Sequence, residues 1–292
     1  MARPGPWTPE TRQDGRRFVV TGASAGLGLE TARVLAGLGA HVVLAVRTPA
    51  KGEAAAAAMP GSVEVRRLDL TDLASVREFA DGVGPVDVLI NNAGVLAVPY
   101  ALTVDGFETH LATNHLGHFA LTNLLLPRLT DRVVVVGSDA HRRGDLDLTD
   151  LQWDRRPYSA WGAYGASKLA ELLFLAELQR RLTAAGSTLR ATGAHPGSTV
   201  TDITSHTGSR FKTWVGSWGH QLVGMPAWKG ALTTLYAATM DVPGNTFIGP
   251  GGRREMKGWP TGVGRSRQAA DPDLAKALWV CSEELTGARF PF

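Results

Sequence analysis

The sequence has a single cysteine, Cys281. One thiol excludes an intrachain disulfide and any multi-cysteine metal site, and it suits a reducing compartment. Long hydrophobic runs are missing too: no uninterrupted apolar stretch approaches the ~20 residues that span a bilayer. Residues 1–17 carry prolines and charges without the apolar segment of a signal peptide. The expectation is a cytoplasmic protein with no membrane anchor. Charge of one sign is also scarce, with 30 Lys plus Arg against 27 Asp plus Glu and a net charge of +3. The arginine pairs at 142–143, 155–156 and 180–181 lack interleaved aromatics, which argues against a nucleic-acid surface. What the chain does have is 44% apolar and 20% charged residues over 292 positions, enough to bury a sizeable core.

The stretch that organises the rest is Thr21-Gly22-Ala23-Ser24-Ala25-Gly26-Leu27-Gly28. It follows Phe18-Val19-Val20, an apolar run of strand type, and precedes Leu29, Ala32, Val34, Leu35 and Leu38 at roughly helical spacing. A glycine turn between strand and helix lets backbone approach a ligand and aims the helix start at an anion. Two other readings compete. Gly22-Ala23-Ser24-Ala25-Gly26 matches the G-x-S-x-G elbow of α/β hydrolases, and a glycine-rich turn can also have no ligand. The elbow fits poorly, because such enzymes place several strands before it and here only ~20 residues precede. It also leaves Gly28 unexplained.

Along the chain, residues 1–15 read as a flexible arm. A second strand, His41 to Val46, ends at Arg47 with Lys51 close by, where a dinucleotide fold meets the adenosine ribose. A cation there favours the 2′-phosphate of NADP over the 2′-hydroxyl of NAD. A third strand ends in Asp69-Leu70, with Thr71 as helix N-cap; Asp69 lies where it can accept from an adenine amino group or cap a turn. A fourth, 86–90, opens into Asn91-Asn92-Ala93-Gly94, whose amides can bridge strands beside a ligand. A long helix is expected over Val104 to Leu126; Asn114 inside it is costly unless bonded. His115 and His118 in the same helix lack the Glu or Cys of a ligand pattern, so no metal is expected. The fifth strand leads to Gly137-Ser138, and 141–160 reads as an irregular surface excursion. Tyr164 and Lys168, four apart, share one face of the next helix. A sixth strand ends in His195-Pro196-Gly197-Ser198-Thr199-Val200-Thr201. Beyond it, Phe211, Trp214, Trp218 and Leu222 are spaced as an aromatic helix, read either as a flap or as a segment docked on the core. About seven β/α units imply an α/β fold, a doubly wound parallel sheet with helices on both faces, in one domain over 16–292 with a substrate-loop insertion at about 202–228.

Together these residues resemble the short-chain dehydrogenase/reductase family from about residue 16 to 285. The motifs are Thr21-Gly22-x3-Gly26-x-Gly28, Asp69, Asn91-Asn92-Ala93-Gly94, Asn114, Ser138, Tyr164-x3-Lys168 and Pro196-Gly197. Ala140-His141, Ala166-Ser167-Lys168-Leu169-Ala170 and His195-Pro196-Gly197 are most similar to its retinol dehydrogenase and protochlorophyllide reductase branch. The resemblance implies hydride transfer between NADP(H) and a bulky apolar carbonyl or alcohol. It implies that Gly22, Ser24, Gly26, Leu27, Gly28, Arg47, Asp69, Leu70, Asn92, Ala93 and Gly94 contact the cofactor. Tyr164, Lys168, Pro196, Gly197, Thr199 and Thr201 would do so at its nicotinamide end. Tyr164 would be the acid/base; a tyrosine ordinarily titrates near ~10, and the Lys168 ammonium favours its phenolate. Ser138 would orient the substrate oxygen, and Asn114 would hold a water linking Lys168 to solvent. A protein of this fold that senses NADP without turnover is the alternative. Both a monomer and a homo-oligomer stay open.

Overall fold

The computed structural model describes residues 6–198 and 225–292 of the chain. Strand β1 (Arg17–Thr21) is followed by α1 (Gly26–Gly37), β2 (His41–Val46), α2 (Pro49–Ala56), β3 (Ser62–Arg67), α3 (Leu73–Gly82) and β4 (Val86–Asn91). A π turn (Leu111–Leu116) leads into α4 (Gly117–Leu125), then β5 (Leu129–Val136), α5 (Ala160–Ala184) and β6 (Arg190–Ala194). The described part closes with α6 (Ala227–Thr239), β7 (Phe247–Pro250), β8 (Pro260–Gly262) and α7 (Pro272–Thr286).

The strands form one sheet in the order β3-β2-β1-β4-β5-β6-β7-β8. The first seven are parallel, and β8 runs antiparallel to β7 through Ile248↔Gly262. This is the doubly wound fold expected, with eight strands in place of about seven. The extra strand is three residues long and carries no hydrophobic period, so nothing marked it in the sequence. Strands buried on both faces read as continuous apolar runs, and their alternate side chains feed two cores. Phe18, Val20, Leu44 and Ile90 pack against Leu35 of α1 and Leu235 of α6. Val19, Leu89 and Val135 pack against Phe79, Phe119, Leu172 and Trp279 from α3, α4, α5 and α7.

Helix starts follow local chemistry. Asp72 caps α3, accepting from Ala74 N at 2.9 Å and Ser75 N at 3.3 Å, where Thr71 had been expected. Ser159 caps α5 at 3.1 Å from Gly162 N. The helix expected from Val104 starts later. Residues 102–108 instead make a tight excursion closed by a Leu102↔Glu108 bridge, with Gly106 at φ +81°. Within the expected N-terminal arm, Trp7 meets Tyr236 edge-on at 5.0 Å, and Gln13 N donates to the Leu38 carbonyl at 2.8 Å. Among the described residues no helix is long and apolar enough to cross a membrane.

Candidate active site

In this strand order the sheet reverses direction of growth between β1 and β4, and a crevice opens there at the carboxyl ends. The glycine turn lies at that point. Gly22 has φ +66°, a conformation open to residues without a Cβ, and an added Cβ would stand 2.9 Å from Ala93 Cα. Gly28 is packed against the turn itself: its Cβ would fall 2.6 Å from the Gly22 carbonyl oxygen and into Asn92 Nδ2. Helix α1 starts at Gly26 after Ala25, with no side-chain cap and no acid in its first turn. Its leading N–H groups and dipole are thus left to an anion. Ser24 and Gly26 are half-buried in this turn, and Leu27 is buried beneath it.

From the turn a continuous set of bonds leads across the crevice. Thr21 Oγ1 accepts from the backbone N–H groups of Asn92 and Ala93, both at 2.9 Å, and Asn92 Nδ2 donates to the Thr21 carbonyl at 2.8 Å. Asn91 Nδ2 donates to Thr122 Oγ1 at 2.9 Å. His118 Nδ1 lies 3.1 Å from the Asn114 carbonyl, which only accepts, so Nδ1 carries the proton. Its Nε2 then accepts the Thr21 hydroxyl at 2.9 Å. Burial, with the Lys168 charge adding to it, pulls this imidazole down to about 4. It is neutral at physiological pH.

Asn114 sits in the π turn, and both donors of its amide are used. Oδ1 accepts from Val95 N at 2.8 Å, and Nδ2 donates to the Val95 carbonyl at 3.1 Å and to Ser167 Oγ at 2.8 Å. Ser167 Oγ passes its own proton to the Tyr164 carbonyl at 2.8 Å. This amide therefore positions the 95 loop and α5; both its donors are taken, and Oδ1 keeps one lone pair for a water such as the one expected at Asn114. Between the two, a Cβ on Gly94 would be 3.2 Å from Asn114 Oδ1 and 3.6 Å from Lys168 Nζ.

Lys168 is buried at 6% exposure and lies one turn below Tyr164, with Nζ 5.9 Å from that ring. Its three donors meet the Val136 carbonyl at 3.2 Å and Glu171 Oε1 and Oε2 at 2.8 and 3.0 Å. Glu171 was not singled out in the sequence, although an acid within the apolar run 169–178 was a visible signal. The Tyr164 ring is half-buried, edge-on to His110 and to the exposed Trp161, each at 6.3 Å. Ser138, two residues beyond Val136, accepts from Ala140 N at 3.2 Å through Oγ. A cleft of about 420 Å³ opens beside it, lined by Asp139, Ala140, Arg143, Trp161, Gly162 and Gly165.

Around this centre lie two supports, the first of which no motif revealed. Tyr158 Oη and His110 Nδ1 both meet Glu108 Oε1, at 2.9 and 2.8 Å, and His110 Nε2 accepts from Val98 N at 3.2 Å. Burial, reinforced by Glu108, pushes the Tyr158 phenol up, so it stays a donor. On the far side, Gly197 follows Pro196 at φ +68°, and its N–H donates to His195 Nδ1 at 3.3 Å. His195 Nε2 in turn meets Glu255 at 3.1 Å.

At the other end of the crevice, Arg47 and Lys51 are exposed beyond β2. Asp69 gives Oδ1 to Thr71 N and Oγ1, at 3.0 and 2.6 Å, and so makes a turn, as one of its two readings had it. Leu70 is buried against Gly117. Thr199, Thr201 and the aromatic positions 211–222 lie outside the described residues. His115 and His118 have separate partners, Ser282 and Thr21, and among the described residues no group of three His, Cys, Asp or Glu is placed to hold a metal. The glycine turn, the uncapped helix start and the gap at Gly94 fit a dinucleotide laid across the strand ends.

Known proteins are similar to this chain in sequence and fold. The family model described as short chain dehydrogenase matches residues 16–211. Retinol dehydrogenase 12 of Homo sapiens is 46% identical over 296 residues, covering 94% of this chain and 88% of its own. A crystal structure of a protein from Mycobacterium paratuberculosis is 56% identical with a TM-score of 0.86, covering 98% of this chain and 99% of its own. A short chain dehydrogenase from Burkholderia cenocepacia, solved in complex with NADP, is 25% identical with a TM-score of 0.62, covering 81% of this chain and 96% of its own.

Proposed function

Because the chain belongs to the short-chain dehydrogenase family, we propose that it interconverts a bulky apolar carbonyl and its alcohol with NADP(H). One observation carries the reading: the glycine turn and the Tyr164–Lys168 helix converge on Ala93-Gly94, where a Cβ on Gly22 would lie 2.9 Å from Ala93 Cα and one on Gly94 3.6 Å from Lys168 Nζ. The bound nicotinamide supplies or takes up the hydride. The chain's part is to bind, orient and move one proton. The N–H groups at the start of α1 hold the pyrophosphate, and Arg47 with Lys51 favours a 2′-phosphate. Ser138 donates to the substrate oxygen and orients it. Tyr164 gives that oxygen its proton in reduction and removes it in oxidation. Lys168 holds a positive charge beside the phenol, and Gly197 and its neighbours seat the ring. The relative named retinol dehydrogenase and the exposed indole of Trp161 beside Tyr164 support an apolar substrate.

The test follows NADPH absorbance with a panel of apolar aldehydes and ketones. Wild type should consume NADPH. Tyr164→Phe should lose about a hundredfold or more of that rate, the usual share of general acid catalysis, while still binding the nucleotide. Arg47→Ala should weaken NADPH far more than NADH. Tight NADPH binding without turnover across the panel would favour the sensor, and equal losses of the two nucleotides would refute the 2′-phosphate assignment.

A further inference from the structure

Lys168 and Glu171 form a buried pair that the proposed chemistry does not by itself require. Both lie on α5, three residues apart, with exposures of 6% and 3%. The carboxylate takes two of the three ammonium donors. Among the described residues no further charged group acts on the pair. The buried neutral His118 of α4 feels the Lys168 charge, Asn114 of the π turn bonds the adjacent Ser167, and β5 offers the Val136 carbonyl. Tyr164 is the remaining titratable neighbour, from α5 itself. Among the described residues no other carboxylate bonds Lys168.

We propose that Glu171 is a positioning residue of the acid–base system: its carboxylate balances the Lys168 ammonium, raises the pH at which the Tyr164–Lys168 pair first loses a proton, and so sets the site for carbonyl reduction. The inference rests on the hydride-transfer reading above. With Glu171 charged, the buried set of ammonium, carboxylate and phenol is neutral. Losing a proton then leaves a net negative charge in a medium of low dielectric. Without the carboxylate, the same loss takes the set from positive to neutral and occurs at lower pH. This holds whichever of the two groups releases the proton, because the pair titrates as a unit. Reduction needs the phenolic proton, so Glu171 extends the reductive range upward and holds oxidation back. The Glu171 carboxyl is itself pushed up by burial, to about 7, against the pull of Lys168. Above that pH the carboxylate is charged.

The experiment is a pH profile in both directions for wild type, Glu171→Gln and Glu171→Asp. In Glu171→Gln the falling limb of carbonyl reduction should move down by about one pH unit or more. Glu171→Asp keeps the charge and should return the limb toward wild type. A limb that stays in place in Glu171→Gln overturns the proposal. Should that variant not fold, the smaller neutral Glu171→Asn, with room for a water against Nζ, carries the same expectation. A second readout needs no cofactor or turnover. The ζ-carbon signal of ¹³C-labelled Tyr164, assigned through Tyr164→Phe among the 4 tyrosines, should change with the pair's first proton loss at lower pH in Glu171→Gln than in the wild type. A change at the same pH in both proteins overturns the proposal too. Absence of turnover in wild type, by contrast, would count against the hydride-transfer reading and leave this titration to decide the role of Glu171.

Discussion

Gly28 has no room for a side chain. Its missing Cβ is what lets α1 begin against the Gly22 carbonyl and the Asn92 amide. We therefore expect Gly28→Ala to push the helix start away from the turn, costing roughly 1–3 kcal/mol of stability and most of the dinucleotide affinity. Urea unfolding and nucleotide titration read the two losses; a variant equal to wild type in both would show that the close approach is not needed. At the same scale, a single carboxylate separates what spacing reveals from what burial reveals. Tyr164 and Lys168 stand out because they are one helical turn apart. Glu171 has the same local signature as any surface acid, and only its burial against Nζ distinguishes it.

Among elements, the π turn at Leu111–Leu116 has the clearest purpose. Such bulges widen one helical turn and often mark functional sites. Here the turn places Asn114 where its amide ties the backbone of Val95 to Ser167 of α5, and so holds the loop after β4 beside the helix that carries Tyr164 and Lys168. Asn114→Ala would strand the half-buried Val95 N–H and remove three hydrogen bonds, a destabilisation of about 2–4 kcal/mol. Proton exchange at the Val95 amide should speed up accordingly. An Asn114→Ala protein as stable as wild type would mean that the loop holds itself. The expected helix from Val104 failed at this scale too. Gly106 at positive φ and the Leu102↔Glu108 bridge turn the chain sharply before the helix starts, although apolar residues continue at helical spacing.

Across the whole molecule, the histidines between the sheet and its helices couple stability to pH. Burial pulls His115 down to about 3 and His118 to about 4. The unfolded chain, with imidazoles near ~6.5, takes up protons that the fold refuses, so their contribution is full above that pH and is lost as pH falls toward 4. At pH 5 the loss is about 2 kcal/mol for each histidine. Glu171 acts in the opposite sense, because its raised carboxyl binds a proton in the fold before it does in the unfolded chain. The cleaner measurement is a difference. Ser282 Oγ already donates to the Leu278 carbonyl at 2.7 Å, so His115→Leu leaves no buried donor stranded. The gap between unfolding free energies at pH 7 and pH 5 should change by about 2 kcal/mol in that variant, in the direction of less acid sensitivity. An unchanged gap would place the acid sensitivity elsewhere.

The amino-acid order alone determined the parts whose signal lies within one element or its immediate neighbour. Those are the glycine turn between the first strand and helix, the alternation that makes a doubly wound sheet, the cation that ends β2, and the Tyr-x3-Lys face of α5. Tertiary structure decided which polar groups are buried together: Glu171 against Lys168 under the Val136 carbonyl, His118 between Thr21 and Asn114, and Glu108 with His110 and Tyr158. Thr21, Val136 and Tyr158 come from distant parts of the chain, whereas the other partners are close in sequence and share only their burial. All of them depend on the faces that packing removes from water. A charge or an imidazole means one thing in solvent and another in a dry core, and only the assembled sheet and helices decide which applies.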